Sequence, residues 1–331
     1  MKVLSTRQLS GLAILFLLVI AACLMRMLID RDPSGALGLA WPDPSYAQFR
    51  WTPMLNGIIA GIALAISGML LQALLRNPLA SPFILGISSG AGLGVMIALY
   101  IAYAAGSAAP QVAGSTLPAT AGALGTLGVV YALGQRKGWI DPVSLILIGV
   151  VVATICSAGI MFFQHLVPTG LRGEFTTWLM GHIPESTSTL ALVLTGSIAS
   201  IGLVVAIAMG RSLDVATLGD DEARSVGLAI GPRRLAMFVL AGVLAAVAVA
   251  VVGPIGFVGL ISPHVARLLL GPRHTVLALG AALCGAMVLV GSDVARQALD
   301  LGGGRMPPGI FTAIMGGPMF IWLLLTGRGR L

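Results

Sequence analysis

The chain has 331 residues, of which 57% are hydrophobic and 9% are charged, and its mean hydropathy is +0.99. Soluble domains carry about 25% charged residues, so a chain of this composition cannot cover a water-facing surface. The formal net charge of +7 could suit a nucleic-acid partner. We exclude nucleic acid because the basic residues stand at the ends of apolar segments, as in membrane proteins. The composition therefore predicts a polytopic protein of the lipid bilayer.

The sequence carries no pattern for ATP hydrolysis, a disulfide or a bound metal. Its lysines, Lys2 and Lys137, lie outside any G-x-x-x-x-G-K-[ST] motif, so no phosphate-binding loop and no ATPase site are expected. The cysteines Cys23, Cys156 and Cys284 are odd in number, lie in apolar segments and form no C-x-x-C pair. They are predicted to be buried thiols. We expect no cofactor and no enzyme activity in this chain.

Continuous apolar runs predict an all-α protein with about ten membrane-spanning helices, since barrel strands would show alternation instead. The predicted spans are residues 1–29, 51–75, 83–104, 118–134, 142–166, 190–209, 232–252, 253–270, 275–296 and 307–326. The first span resembles a signal peptide. Because its apolar run continues past Cys23 to Ile29, we predict an uncleaved helix. The eighth begins with a glycine- and proline-rich stretch and is expected to be short or bent. Residues 167–189 are predicted to lie at the outer interface.

This topology places most of the 19 lysines and arginines on one side, which the positive-inside rule assigns to the cytoplasm. Both chain termini are then predicted to be cytoplasmic.

The densest charge in the sequence runs from Arg211 to Arg234. Within it, Asp220 and Asp221 are typical of a helix start, and Gly227 is typical of a helix end. Because apolar spans lie on both sides, this element must lie in water. We interpret it as the surface on which a soluble partner acts, and the alternative is an ordinary solvated loop.

Glycines at a spacing of four residues occur in two predicted spans. Gly57 and Gly61 lie in the second span, and Gly86, Gly90 and Gly94 lie in the third. Such stripes let helices approach closely in lipid. We therefore predict tight helix–helix contacts at both places.

Four blocks of sequence, taken together, point to one family. They are Arg76–Pro82 followed by Leu85–Ala91; Leu218-Gly219-Asp220 with Ala223-Arg224 and Gly227; Gly253–Leu260 with Pro263-His264; and Met306–Gly309 with Thr312-Ala313. In these blocks, and in their order along the chain, the sequence resembles the FecCD-type permeases of ABC importers for iron siderophores, haem and cobalamin.

The resemblance implies a type II ABC importer permease fold, with residues 1–331 forming one transmembrane permease domain in a bacterial inner membrane. It also implies a second permease subunit, identical or homologous, together with ABC ATPase subunits and a periplasmic substrate-binding protein. Residues 218–228 then correspond to a cytoplasmic element that docks on the ATPase. The residues that match the family's coupling positions are Leu218, Gly219, Asp220, Ala223, Arg224 and Gly227.

The resemblance further implies a cytoplasmic gate, formed by the turn Asn77-Pro78-Leu79 and the start of the fifth helix at Asp141-Pro142. Family members usually have small polar residues at the positions that match Asp141-Pro142. An alternative interpretation is that Asp141 only caps the fifth helix, with Pro142 in its first turn.

Arg50 and Arg296 match arginines through which the family docks its binding protein. A further arginine, often found three residues after the first, is replaced here by Pro53. The alternative for each arginine is snorkelling at the membrane interface.

The substrate remains open among ferric siderophores, haem and cobalamin. The run Ala80–Gly86 favours a ferric siderophore.

A secondary transporter driven by ions is a further alternative, and Asp293 is the only acid in a span that could serve it. An intramembrane enzyme has no supporting motif. His264 is predicted to be packed and hydrogen-bonded, and His165 and His182 are not expected to bind metal.

Overall fold

The computed structural model describes residues 5–31, 37–107, 116–136, 139–299 and 306–325. Over these ranges the chain is built almost entirely from helices, as the composition predicts. They are α1 (Thr6–Leu28), α2 (Gln48–Leu75), α3 (Ile87–Ala104), α4 (Thr116–Leu133), α5 (Pro142–Leu166), α6 (Thr169–Leu179), α7 (Thr189–Ala216), α8 (Asp220–Ser225), α9 (Ile230–Val252), α10 (Val258–Leu270), α11 (His274–Ala298) and α12 (Pro308–Leu325).

The remaining elements are short. A 3₁₀ helix, Pro82–Leu85, connects α2 to α3. Strand β1 (Ile29–Arg31) pairs antiparallel with β2 (Leu37–Leu39), so that Asp30 lies opposite Gly38. Strand β3 (Gln135–Arg136) pairs antiparallel with β4 (Trp139–Ile140).

Among the described residues, 8 helices are long and apolar enough to cross a membrane, namely α1, α2, α3, α4, α5, α7, α9 and α11. Helices α10 and α12 are apolar but shorter. Together they account for the predicted spans, so the all-α architecture of about ten membrane helices is confirmed. Both chain termini and the basic residues Lys2, Lys137, Arg305, Arg328 and Arg330 lie outside the described residues.

The sixth predicted span is wrong at its end. It was expected to finish near residue 209, but α7 continues to Ala216. The helix continues because Leu213 and Ala216 extend its buried stripe. In addition, the carboxylate of Asp214 accepts hydrogen bonds from the backbone nitrogen and Nδ1 of His274, at 2.9 and 2.7 Å, which fixes α7 to the first residue of α11.

Helix α2 lies at the centre of the bundle, with 83% of its membrane-length stretch buried. It packs against α9, α10 and α11. A Cβ on Gly61 would lie 2.6 Å from the carbonyl carbon of Gly285, and one on Gly68 would lie 2.5 Å from that of Gly259. The backbones therefore touch at these positions, which confirms the close contact predicted for the second span.

The stripe of the third span serves two different contacts. Gly94 packs on α4, where a Cβ would lie 3.1 Å from the carbonyl carbon of Pro118, and Gly90 packs on the same helix at Thr126. Gly86, however, precedes α3 and adopts a left-handed conformation with φ of +72°. It faces α5 at Gly149, so it forms the turn into the helix and is not part of the α4 contact.

The crossing that includes α10 is only partly helical. Helix α9 ends at Val252, residues 253–257 are irregular, and α10 has 13 residues. Gly253 lies against Trp178 and Gly181, whereas Gly259 lies against Leu64 in α2. Irregular backbone at membrane depth is tolerated when it is enclosed by protein, and Gly253 and Ile255 are buried. The expected short eighth span is confirmed.

Cys156 and Cys284 are buried free thiols, as predicted, while Cys23 is also unbridged but only half-buried.

Candidate functional site

The charged element forms a short helix, α8, as its sequence predicts. Gly219 is its N-cap residue, and the three acids Asp220, Asp221 and Glu222 occupy its first turn, where they complement the helix dipole. At the other end, Gly227 has φ of +81°. The N–H of Leu228 donates to the carbonyl of Ala223 at 3.0 Å, and the N–H of Gly227 donates to that of Arg224 at 2.9 Å. This pair of bonds is a Schellman motif, which requires the left-handed glycine.

Helix α8 presents two different faces. Ala223 is fully buried against the bundle, whereas Arg224 is exposed, as are Leu218 just before the helix and Val226 just after it. Beside it lies a cavity of about 400 Å³. Its lining comes from β4, the end of α8 and the start of α9, and consists of Trp139, Arg224, Leu228, Ala229, Ile230, Gly231 and Arg234. Two guanidinium groups and a large indole thus border one concave surface, which is suited to an apolar or acidic group of a partner.

Asp220 ties α8 to the bundle. Its Oδ1 accepts a hydrogen bond from Nη2 of Arg76 at 2.5 Å, and both its oxygens accept from Nη2 of Arg234, at 2.9 and 3.0 Å. Burial would raise the pKa of Asp220. The hydrogen bond from Arg76 and the charges of Arg234 and Arg76 outweigh it and hold that pKa below its ordinary value. The carboxylate is therefore ionised at neutral pH, and its ion pairs are lost only as the pH falls through the lowered pKa.

The turn Asn77-Pro78-Leu79 follows directly on the left-handed end of α2. Arg76 has φ of +48° and caps that helix. The side-chain oxygen of Asn77 accepts a hydrogen bond from the N–H of Leu79 at 2.9 Å, and its carbonyl accepts from Ala80 at 3.0 Å. Asparagine side chains favour such turns because they replace a backbone acceptor. The predicted turn is thus confirmed and locally fixed.

Asp141 caps α5. Its Oδ2 accepts hydrogen bonds from the backbone nitrogen and the hydroxyl of Ser144, at 2.9 and 2.6 Å, and Pro142 occupies the first turn. The capping interpretation is therefore confirmed for the local structure.

The structure brings the predicted coupling and gate residues to one end of the bundle. The 3₁₀ helix that follows Leu79 packs on α5, where a Cβ on Gly149 would lie 3.0 Å from the Cα of Leu85. Arg234, which bonds to α8, also donates from Nη1 to the carbonyl of Ile140 at 3.3 Å. We refer to this as the α8 end of the bundle.

Arg50 lies at the opposite end, at the start of α2. Its guanidinium donates to the carbonyl of Ile29 and to the carboxylate of Asp30 in β1. It also borders a cavity of about 300 Å³ that Asp43 and Glu185 line as well. Arg50 is half-buried, so part of its charge faces a surface of mixed sign.

Arg296 differs from Arg50, because it is only 8% exposed. Its Nε donates to Oδ1 of Asp293 at 2.8 Å, and the other oxygen of Asp293 accepts from Arg26 in α1. Arg26 and Asp293 are 0% and 1% exposed. One buried carboxylate therefore holds two buried guanidiniums. Asp293, the acid considered for ion coupling, is held in a structural ion pair.

The histidines show no shared site. His264 is buried, as predicted, but among the described residues its Nε2 has no hydrogen-bond partner. Burial lowers the pKa of His182, and the charge of Arg296 lowers it further, so this imidazole is neutral at neutral pH. Within the described ranges, no group of three His, Cys, Asp or Glu side chains could hold a metal ion.

Sequence reasoning gave no site role to three residues that the structure places at these ends, and it considered a fourth, Asp293, only for ion coupling. Arg234 and Trp139 lie at the α8 end, and Arg26 and Asp293 join Arg296 at the other. Arg234 stands in the charged run, so its charge was a usable signal. Nothing local in the sequence indicates the partners of the other three.

A family model for the FecCD transport family matches residues 15–326. Among curated proteins, the chain is 33% identical over 285 residues to the hemin transport system permease protein HmuU of Yersinia pestis, covering 86% of this chain and 84% of that protein. It is 35% identical over 280 residues to the cobalamin import system permease protein BtuC of Halobacterium salinarum, covering 83% and 72%.

A third relative is the iron(3+)-hydroxamate import system permease protein FhuB of Salmonella typhimurium, 34% identical over 313 residues, which cover 93% of this chain and 44% of that longer protein. Among solved structures, an inward-facing transporter assigned to the metal-chelate type of ABC transporter superposes with a TM-score of 0.83 at 28% identity. The match covers 96% of this chain and 99% of that one.

Proposed function

We propose, from the premise that this chain belongs to the FecCD transport family, that it moves a ferric siderophore across a bacterial inner membrane into the cytoplasm. The family establishes a multi-pass membrane permease of an ABC importer for metal chelates, haem or cobalamin. In such importers the ATPase activity lies in a separate subunit. The single observation that carries the proposal of an ATP-driven importer is the ion-paired position of α8. Its Asp220 bonds to Arg76, which precedes the Asn77 turn, and to Arg234, which bonds to Ile140 before α5.

We further propose that the α8 end faces the cytoplasm, with both chain termini on that side, and that α8 is the element on which the ATPase acts. The residues proposed for this coupling are Leu218, Gly219, Asp220, Ala223, Arg224 and Gly227. The exposed Leu218 and Arg224 are proposed to contact the ATPase, whereas the buried Ala223 and the paired Asp220 hold α8 on the bundle. Two features support this. Arg224 is exposed on a helix that buries Ala223, and Leu218 is exposed just before the helix begins. Gly227 and Gly219 set the ends of the helix, and so its orientation.

The gate is proposed at the same end, formed by Asn77-Pro78-Leu79 and by Asp141-Pro142. Its support is proximity, since the 3₁₀ helix after Leu79 packs directly on α5. A rigid turn on one side and a capped helix start on the other are suited to switch between two discrete arrangements. Residues 1–331 are proposed to act as one permease domain beside a second permease subunit, identical or homologous.

The substrate is tested by uptake. Cells that carry the permease with its ATPase and binding protein should accumulate ⁵⁵Fe-labelled ferric hydroxamate at least tenfold faster than they accumulate radiolabelled haem or cobalamin. ATP depletion should abolish this uptake. Faster uptake of haem or cobalamin would show that this chelate, and not the ferric siderophore, is the substrate. Uptake that persists without ATP would overturn the importer mechanism itself.

Arg224→Ala tests coupling in the same assay. The exposed guanidinium is proposed to contact the ATPase, so its loss should reduce uptake at least tenfold while the permease still accumulates in the membrane. Arg211→Ala is the matched control, because Arg211 is also exposed in the charged run but lies on α7. Uptake at the unsubstituted rate in Arg224→Ala would contradict the coupling role.

The opposite end is proposed to receive the periplasmic binding protein through Arg50 and Arg296. Arg50 is the half-buried member and can meet an acidic partner directly. Arg296 is buried on Asp293, so it contributes through the positive charge that the cluster retains. Rim charges of this kind mainly set the association rate and the orientation of the partner.

Arg50→Glu should slow capture of the binding protein about tenfold at low salt. The difference should shrink as salt is added, because screening weakens exposed charges. Surface-plasmon measurements with the purified binding protein would record both rates. Arg172→Glu is the control, since Arg172 also lies outside the spans and bonds to backbone carbonyls. Equal association rates for the two variants would contradict a docking role for Arg50 and favour the alternative, snorkelling at the membrane interface.

A further inference from the structure

Asp220 is the one α8 residue whose side chain is bonded to other helices within the described part of the chain. Its carboxylate bonds to Arg76 at the end of α2 and to Arg234 in α9. Helix α8 has 6 residues and buries only Ala223. Helices this short are not stable on their own in water. The position of α8 relative to the bundle is therefore set largely by this carboxylate.

Each of the two arginines holds a second group. Nε of Arg76 donates to the carbonyl of Ala216, the last residue of α7, at 3.0 Å. Nη1 of Arg234 donates to the carbonyl of Ile140 at 3.3 Å. Arg76 immediately precedes Asn77, and Ile140 immediately precedes Asp141. The carboxylate of Asp220 is thus connected to each segment proposed as the gate through one arginine side chain, that of Arg76 or that of Arg234.

These bonds can carry a displacement. The bonds from the two arginines to the carboxylate of Asp220 are charge-assisted, at 2.5, 2.9 and 3.0 Å, which makes them stronger than bonds between neutral groups. Arg76 also lies at a left-handed helix end that is fixed by its own N–H bond to Gln72. A shift of α8 would therefore move the Arg76 and Arg234 side chains, and with them the residues that begin the turn and α5.

We propose that Asp220 is a positioning residue that transmits the movement of α8 to the Asn77–Leu79 turn and to the start of α5. This inference rests on the proposed function, in which an ATPase acts on α8. It differs from a docking role, because Asp220 faces Arg76 and Arg234 and not the exposed surface that carries Arg224. Removing its charge should leave the ATPase bound and disconnect the gate.

The test uses the purified complex with its ATPase in lipid nanodiscs. A cysteine introduced by Leu79→Cys, at a half-buried position, is labelled with a water-soluble maleimide with and without ATP and vanadate. Labelling of the same complex without Leu79→Cys gives the background from the native thiols. We expect nucleotide to change the labelling rate at least fivefold, and Asp220→Asn to reduce that change to less than twofold.

Arg234→Gln is a second variant that leaves α8 itself intact and should have the same effect. Arg233→Gln is the matched control, because Arg233 is the exposed neighbour in α9, and it should keep the full change. A full nucleotide response in Asp220→Asn would overturn the inference. So would loss of the ATPase from that variant, or the absence of a response in the unsubstituted complex. Because no chelate is used, failure here is distinct from failure of the uptake assay, which tests the proposed function.

Discussion

Asp293→Asn is expected to destabilise the folded protein by about 3–5 kcal/mol, since removing one partner of a buried ion pair leaves the other charge uncompensated. Asp293 is the shared acceptor for Arg26 and Arg296, and all three are buried. The Nη1 atom of Arg26 already has no partner among the described residues. The substitution would therefore leave two guanidiniums enclosed without a carboxylate.

The effect is measured by thermal unfolding of the purified permease in detergent, where the midpoint should fall by roughly 10 °C. Ser292→Ala is the matched control. Ser292 is the neighbouring buried residue on α11. Among the described residues, its hydroxyl donates only to the carbonyl of Val288 in the same helix. Its loss should cost about 1 kcal/mol or less. An unchanged midpoint for Asp293→Asn would show that the ion pair does not hold α1 to α11.

A second variant separates charge from volume. Arg26→Met combined with Asp293→Asn removes one of the two uncompensated cations and keeps an apolar stem in its place. Because apolar replacement of a buried charge is often neutral or stabilising, the double variant should recover part of the lost stability. A double variant less stable than Asp293→Asn alone would instead indicate that Arg26 matters through its packing.

Local signals in the sequence predicted most of the fold. The apolar runs set the spans, the acids and Gly227 set the ends of α8, and Asp141-Pro142 set the start of α5. Each of these depends on residues within a few positions of one another. Helix caps, breaks and hydrophobic length are properties of a short stretch of chain, so they can be read without knowing what that stretch packs against.

The contacts that define the ends of the bundle could not be predicted in this way. Asp220 meets Arg76 across 144 residues of sequence, and Arg26 meets Asp293 across 267. Nothing near either acid specifies its partner, since several other arginines have the same chemistry. The late end of α7 has the same origin, because His274, far along the chain, bonds to Asp214 and extends the helix.

The same contrast between local sequence signals and distant contacts explains why the two proposed docking arginines differ in burial. The resemblance treats Arg50 and Arg296 alike, yet one is half-buried beside Asp30 and the other is enclosed with Asp293. Sequence motifs carry residue identity, while exposure depends on the neighbours that the fold supplies. Experiments on either arginine therefore need a stability measurement beside any binding measurement, and the stability effect is expected to be larger for Arg296 because its ion pair is enclosed.

Gly68→Ala is the second substitution with a large expected effect. A Cβ at this position would overlap the backbone of Gly259 at the start of α10, lying 2.5 Å from its carbonyl carbon. Because both sides of the contact are backbone, no side chain can rotate away, and α2 and α10 must separate. We expect a loss of at least about 3 kcal/mol, the upper end of the cost of overpacking a core.

Gly128→Ala provides the matched control, since it makes the same change inside α4 where a Cβ would meet nothing within 4 Å. Alanine is the better helix former, so this variant should unfold at or above the unsubstituted midpoint. Gly68→Ala should unfold well below it, and residues 253–257 should become accessible to protease as α10 moves away. Equal midpoints for the two variants would mean that α2 and α10 can separate at little cost, and the irregular backbone before α10 would then need support from elsewhere in the bundle.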